Sequence, residues 1–149
     1  MTLFIVREVL DVIRSHAEVT YPEECCGLLV ARETASGGPE RQARRTVTES
    51  IRMNNVYDGP KHSRYNIEPL EFYKADRVIS QKGLTIAGIY HSHPDHSASC
   101  SMFDLEHSFP WYSYVIISVP KGRVGDIKSW TPREDHKSAI QEEIEILEP

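Results

Sequence analysis

The apolar run Leu84–Tyr90, ending in His91-Ser92-His93-Pro94, constrains this chain more than any other stretch. A short apolar run of this kind reads as a buried strand. Alternation along a strand then points His91 and His93 to one face. Pro94 cannot donate to a ladder, so the chain is expected to leave the sheet there. Asp95 to Cys100 has loop composition, and Ser101-Met-Phe-Asp104 predicts the first turn of a helix with Ser101 as N-cap. Two imidazoles at a strand end and one carboxylate on a nearby helix turn offer three ligands. Three protein ligands with an open fourth position is the pattern of a catalytic zinc site rather than a structural one. Plainer roles exist for the same residues. Ser101 and Asp104 also form a capping box, which needs only to satisfy backbone donors. His-x-His alone is compatible with two polar strand residues. The conjunction favours the metal, and both roles coexist because a helix N-terminus favours a carboxylate.

A chain of 149 residues, 40% hydrophobic, is expected to form one domain spanning 1–149 with a real core. Its net charge of -5 argues against nucleic-acid binding by bulk electrostatics. The local cluster Arg41, Arg44 and Arg45 reads as a solvated strand edge. The N-terminal residues mix acidic Glu8 with a short apolar run, so no signal peptide is expected. No apolar run approaches the roughly 20 residues that would span a membrane. Three cysteines, two of them adjacent and none in a Cys-x-x-Cys, fit a cytoplasmic chain without a disulfide framework. There are no internal repeats.

Along the chain, Val6, Val9, Leu10, Ile13 and Ala17 predict a first helix with one buried face. After Tyr21-Pro22 comes Glu24, then Cys25, Cys26 and a strand through Gly27–Ala31. A glutamate before a buried strand is ordinarily a solvated loop residue. Cys26 has no histidine near it in sequence and reads as a small packed thiol. Glu33 to Glu40 is expected to turn, Arg44 to Met53 to form a strand, and Asn54 to Asn66 to form a long loop, of a length often tied to function. A second helix is predicted from Pro69 to Lys82, with Gly83 beyond it and Leu70, Tyr73, Val78 and Ile79 as its core face. Tyr112–Val119 reads as a central strand and Val124–Thr131 as its hairpin partner. Thr131-Pro-Arg-Glu134 is a capping box that favours a helical turn. The tail, Ile140 to Leu147, fits either a helix or a strand. This order predicts an α/β fold, a mixed sheet flanked by helices.

The motif residues resemble those of the JAMM (MPN+) metallopeptidases, whose pattern is a distant glutamate, then His-x-His, seven residues, Ser-x-x-Asp. Here that pattern falls on Glu24, His91, His93, Ser101 and Asp104. The surroundings, Tyr21-Pro-Glu-Glu-Cys-Cys-Gly-Leu-Leu29 and Gly88-Ile-Tyr-His-Ser-His-Pro94, are similar to the small prokaryotic single-domain members. One departure is Cys100, where those members usually carry proline. The resemblance covers nearly the whole chain. It selects Glu24 over Glu23, tilts the tail to a strand, and implies an MPN/JAB-like, cytidine-deaminase-like architecture.

It also implies chemistry. One Zn2+ per chain would be held by His91, His93 and Asp104, lowering the pKa of a bound water toward about 7. Glu24 would be general acid/base and Ser101 would donate to the oxyanion. Ser92 should face away from the metal, and His62, His96 and His107 read as surface residues. Cys100 abuts Ser101 and reads either as a packed thiol or as a redox-sensitive neighbour of the site. The implied substrate is the C-terminal Gly-Gly tail of a ubiquitin-like or sulfur-carrier protein. Two alternatives stay open: a zinc hydrolase of small-molecule amides, since substrate choice lies in loops, and a non-catalytic MPN scaffold.

Overall fold

The computed structural model describes residues 2–35 and 43–149. Among these residues seven strands close into a barrel in the order β1-β3-β2-β4-β5-β6-β7. They are β1 Thr2–Val6, β2 Cys26–Ala35, β3 Ala43–Met53, β4 Thr85–Pro94, β5 Ser113–Val119, β6 Ile127–Pro132 and β7 Ala139–Leu147. Among the described residues three α-helices join them: α1 Arg7–Thr20, α2 Pro69–Gln81 and the short α3 Met102–Glu106. The sheet is mixed, as expected. β4 and β5 run parallel, as do β1 and β7, whereas β2 pairs antiparallel with both β3 and β4.

The strands at the centre are the ones the sequence marks. Every residue from Ile86 to Pro94 in β4 is buried, and so is all of β5. Side chains therefore leave both faces of β4 into packed layers, because successive residues of a strand point opposite ways. On one face Ala87 and Tyr90 join Val9, Leu10, Ile13 and Ala17 of α1. On the other, Ile86 and Ile89 pack with Ile79, Phe72 and Ala75 of α2. His91 continues the Ile89 side, and Tyr90 the opposite one. Gly27 on β2 stands where the Tyr90 ring crosses, and a Cβ there would collide with that ring.

Four expectations need correction. Val6 ends β1, Thr2–Val6, rather than joining the buried face of the first helix, which starts at Arg7. Leu3 and Ile5 are buried in the core while β1 pairs with β3 and β7. The core face of α2 is Phe72, Ala75 and Ile79; Leu70, Tyr73 and Val78 are each more than half exposed. Helices bury one stripe of about 100° or more, and α2 carries two apolar stripes, of which tertiary packing uses one. The capping box at Thr131 does not nucleate a helix. Thr131 and Pro132 instead end β6, where they pair with Ile140 and Ala139. Glu33 belongs to β2, not to a turn, and the rest of that expected turn from residue 36 lies outside the described residues. The tail forms β7, the strand alternative.

Candidate metal centre and active site

Three segments converge at the C-terminal end of β4. His91 is completely buried and His93 nearly so, on the same face of the strand. Pro94 ends β4, and the loop to Cys100 carries the chain to α3. Ser101 caps α3: its Oγ accepts from the Asp104 N–H at 3.0 Å, and Asp104 Oδ2 accepts from the Ser101 N–H at 3.0 Å. The capping box thus exists, and it sets both carboxylate oxygens of Asp104 against the histidines. Asp104 Oδ2 lies 3.2 Å from His93 Nε2, and Oδ1 lies 3.6 Å from His91 Nε2. Glu24, between α1 and β2, brings Oε1 to 3.4 Å from His91 Nδ1. Glu24, His91 and His93 each offer a ligand atom within 4.8 Å of the others.

The electrostatics are unbalanced. Glu24 and Asp104 are both buried carboxylates. Among the described residues, no lysine or arginine lies within ion-pair distance of either, and the only basic side chains that do are the two histidines. Burial opposes ionisation of Asp104, but the His91 and His93 rings outweigh it and hold the carboxyl well below the usual range. Burial also opposes charge on His93, yet its hydrogen bond with Asp104 and the charge there prevail and raise its pKa. Two nitrogens of His91 and Glu24 Oε1 are buried without a hydrogen-bond partner. Leaving a buried polar group unpaired costs about 1–3 kcal/mol each, and a native fold keeps such a cluster for a reason. A divalent cation supplies one. It would satisfy lone pairs and offset the buried negative charge together.

Surrounding contacts hold these groups in place. His93 Nδ1 lies 2.8 Å from the Ser97 carbonyl, which fixes Nδ1 as the protonated nitrogen and leaves Nε2 free as a ligand atom. Ser92 points away, where its Oγ accepts from the Cys25 N–H at 2.8 Å. His62, His96 and His107 are exposed. Burial, then the nearby Asp104 charge, push the Cys100 thiol up to about 12, the condition of a packed thiol rather than a reactive one. Burial likewise pushes Cys26 up to about 12. A cavity of about 350 Å³ lined mostly by polar residues reaches Glu24, His93 and Ser101, and a second, apolar one of about 480 Å³ reaches Asp104 and is walled by Tyr57, Tyr65, Phe72 and Phe103.

The sequence reading missed two residues of this environment, both in the loop 54–66. Tyr65 stacks on the His91 ring at 4.5 Å between centroids and 25° between planes. Asn55 donates from Nδ2 to the Glu24 carbonyl at 3.1 Å. Neither sits in a local pattern; the only signal was the length of the loop itself.

A mixed, helix-flanked barrel with this cluster at its strand end defines the JAB/MPN class of α/β folds. Residues 6–133 match the family described as prokaryotic homologs of the JAB domain, and the chain belongs to that family. It is 32% identical to Desampylase from Haloferax volcanii over 143 residues, 93% of this chain and 94% of that one. It is 30% identical to a probable TtuB-protein conjugate cleaving protease of Thermus thermophilus over 116 residues, 78% of this chain and 70% of the relative. A solved structure of a protein from Desulfitobacterium hafniense superposes with a TM-score of 0.78 at 27% identity, covering 100% of this chain and 94% of its own. The motif resemblance therefore extends through the fold. Among the described residues no helix is long and apolar enough to cross a membrane.

Proposed function

We propose that this chain is a zinc-dependent peptidase that hydrolyses the amide bond following the C-terminal Gly-Gly of a ubiquitin-like or sulfur-carrier protein. The observation that carries the reading is the buried His91 ring, unpaired at both nitrogens between two carboxylates. The names of two relatives, Desampylase and a conjugate-cleaving protease, support the substrate class.

His91, His93 and Asp104 are the proposed ligands. Ligand atoms about 2.0–2.1 Å from a tetrahedral zinc stand about 3.3 Å from one another. Asp104 comes near that spacing through a different oxygen for each ring, Oδ2 at 3.2 Å from His93 Nε2 and Oδ1 at 3.6 Å from His91 Nε2. Glu24 also offers an oxygen within ligand reach of both histidines, but it faces the other nitrogen of His91, and proton transfer is the role proposed for it. Bound there, zinc would acidify water and polarise the scissile carbonyl. Glu24 takes the proton of the attacking water and delivers it to the leaving amine. Ser101 is an exposed residue whose Oγ only accepts within the cap, so its own proton remains available to the developing oxyanion. Asp104 and Ser97 hold the His93 ring, and Tyr65 covers His91 from the side of the loop.

The tail is proposed to lie along β3 and the loop 54–66. Beyond Val47, β3 pairs only with β2 among the described residues. That leaves an edge to which an extended peptide can add through main-chain hydrogen bonds. Met53 at the end of this edge pairs with Cys26, which in turn pairs with His91. Glycines suit the final approach because they carry no side chain to clash. The deciding experiment offers the zinc-loaded protein a set of carriers extended past Gly-Gly, unrelated peptides and small amides. Expected is release at the Gly-Gly junction, abolished by chelator and by Glu24→Gln. Equal cleavage of arbitrary peptides would overturn carrier specificity, and cleavage of small amides alone would favour a small-molecule hydrolase. Bound zinc with no amide hydrolysis at all would favour a scaffold.

A further inference from the structure

Glu24 belongs to no regular element. Its neighbour Cys25 is tied to Ser92 of β4, donating its N–H to Ser92 Oγ at 2.8 Å and accepting at its carbonyl from the Ser92 N–H at 3.2 Å, but Glu24 itself makes no backbone bond to the sheet. The first residue of β2 to pair is Cys26. Both backbone groups of Glu24 are held by the loop 54–66 instead. Its N–H donates to the Lys61 carbonyl at 2.7 Å, and its carbonyl accepts from Asn55 Nδ2 at 3.1 Å. Asn55 makes three further bonds. Nδ2 also donates to the Arg64 carbonyl at 3.0 Å, while Oδ1 accepts from the N–H of Tyr57 at 3.0 Å and of Asn66 at 3.2 Å. All four positions of the amide are used, two as donor and two as acceptor. The orientation is fixed by its partners, because a flipped amide would set its oxygen against two carbonyls and its nitrogen against two N–H groups. Asparagine is suited to this point. Alanine provides none of the four bonds, and aspartate provides only the two acceptors.

We infer that Asn55 is the positioning residue for Glu24: it ties both ends of the loop 54–66 together and, through the Glu24 carbonyl, sets where the carboxylate enters the site. The inference rests on the proposed role of Glu24 as general acid/base. A residue that merely stitched the loop would change folding or substrate affinity. One that positions the base changes turnover through Glu24. Displacing a reacting group by about 1 Å costs on the order of a hundredfold, so a partial loss of hold is expected to cost tenfold or more.

The test uses Asn55→Asp in the full chain, because it keeps the acceptor bonds to Tyr57 and Asn66 while losing the donor to Glu24. Zinc content and thermal midpoint are measured beside turnover of a ubiquitin-like protein whose Gly-Gly end is fused to a short labelled peptide. Expected are unchanged zinc, kcat lower by tenfold or more with KM within twofold, and no further loss when Asn55→Asp is added to Glu24→Gln. In the metal-free protein, amide exchange at Glu24 should quicken at least tenfold while Leu28 in β2 stays protected. The same loss of kcat in both backgrounds overturns the inference, as does unchanged kcat, unchanged exchange at Glu24, or loss of zinc or fold in Asn55→Asp. Near-normal turnover of Glu24→Gln refutes the role of Glu24 itself. Faster exchange at Glu24 alongside it would show that Asn55 holds the segment although the segment is not catalytic.

Discussion

Tyr90 and His91 are neighbours on β4, yet each faces a different buried histidine environment. Behind Tyr90 lies His16 of α1, 5% exposed, with Nδ1 2.7 Å from the Tyr90 hydroxyl. Ahead lies the ring of His91, 0% exposed, with both nitrogens unpaired and a carboxylate near each. Both rings are deeply packed, so burial does not separate them. What separates them is satisfaction. His16 has a neutral partner, and burial, then the Arg52 charge, lower its pKa to about 4, which keeps it uncharged near neutral pH. It is a packed polar group with its hydrogen bond made. His91 has a carboxylate near each nitrogen and a hydrogen bond at neither, and a divalent cation between these groups would supply the missing partner. A histidine among apolar residues is thus a ligand candidate through what its nitrogens lack.

The largest effect should come on the His91 side. Glu24→Gln is expected to keep fold and zinc and to lose turnover by roughly two to four orders of magnitude, as for removal of a general base. Steady-state rates with parallel metal analysis check this; activity near that of the unmodified chain would remove Glu24 from the chemistry.

The His16 side should instead show itself in stability. Its folded pKa of about 4 lies below the ordinary value of about 6.5. Between those pH values the unfolded chain binds a proton that the folded chain refuses. Stability therefore falls as pH drops below about 6.5 and levels off below about 4, a loss of up to ~3 kcal/mol. Urea unfolding of the chain and of His16→Gln across this range isolates the contribution, since acid effects at the other site are common to both. Parallel curves would mean that His16 titrates normally.

Ser101→Ala is expected to be milder than Glu24→Gln, on the order of a hundredfold in kcat for one lost oxyanion donor. The cap bond from Asp104 N–H is lost as well, at about 1 kcal/mol. A rate loss with no change in zinc content assigns the effect to the hydroxyl. Loss of zinc would place Ser101 chiefly in holding Asp104.

How far the sequence reached follows from where each signal is local. The β4 run, the Ser101 cap and the spacing of His91, His93 and Asp104 are local patterns, and the structure brings those residues together. Glu24 is distant in sequence, and only the motif resemblance singled it out. β1 was hidden because a short apolar run does not distinguish strand from helix, and one of its partners, β7, lies at the far end of the chain. The α2 face was misjudged because Leu70, Tyr73 and Val78 have the right spacing but face outward. Asn55 and Tyr65 were illegible for a further reason. Their contacts depend on the path of an irregular loop, which no periodicity encodes.

Zinc stoichiometry after metal removal and reloading tests the contrast between the two histidine environments most directly, measured on the unmodified chain, His93→Ala and His16→Gln. Expected is one zinc per chain, unchanged in His16→Gln and lost in His93→Ala. Full retention of zinc in His93→Ala, or equal loss in both variants, would contradict the assignment of a metal to the unpaired side of β4.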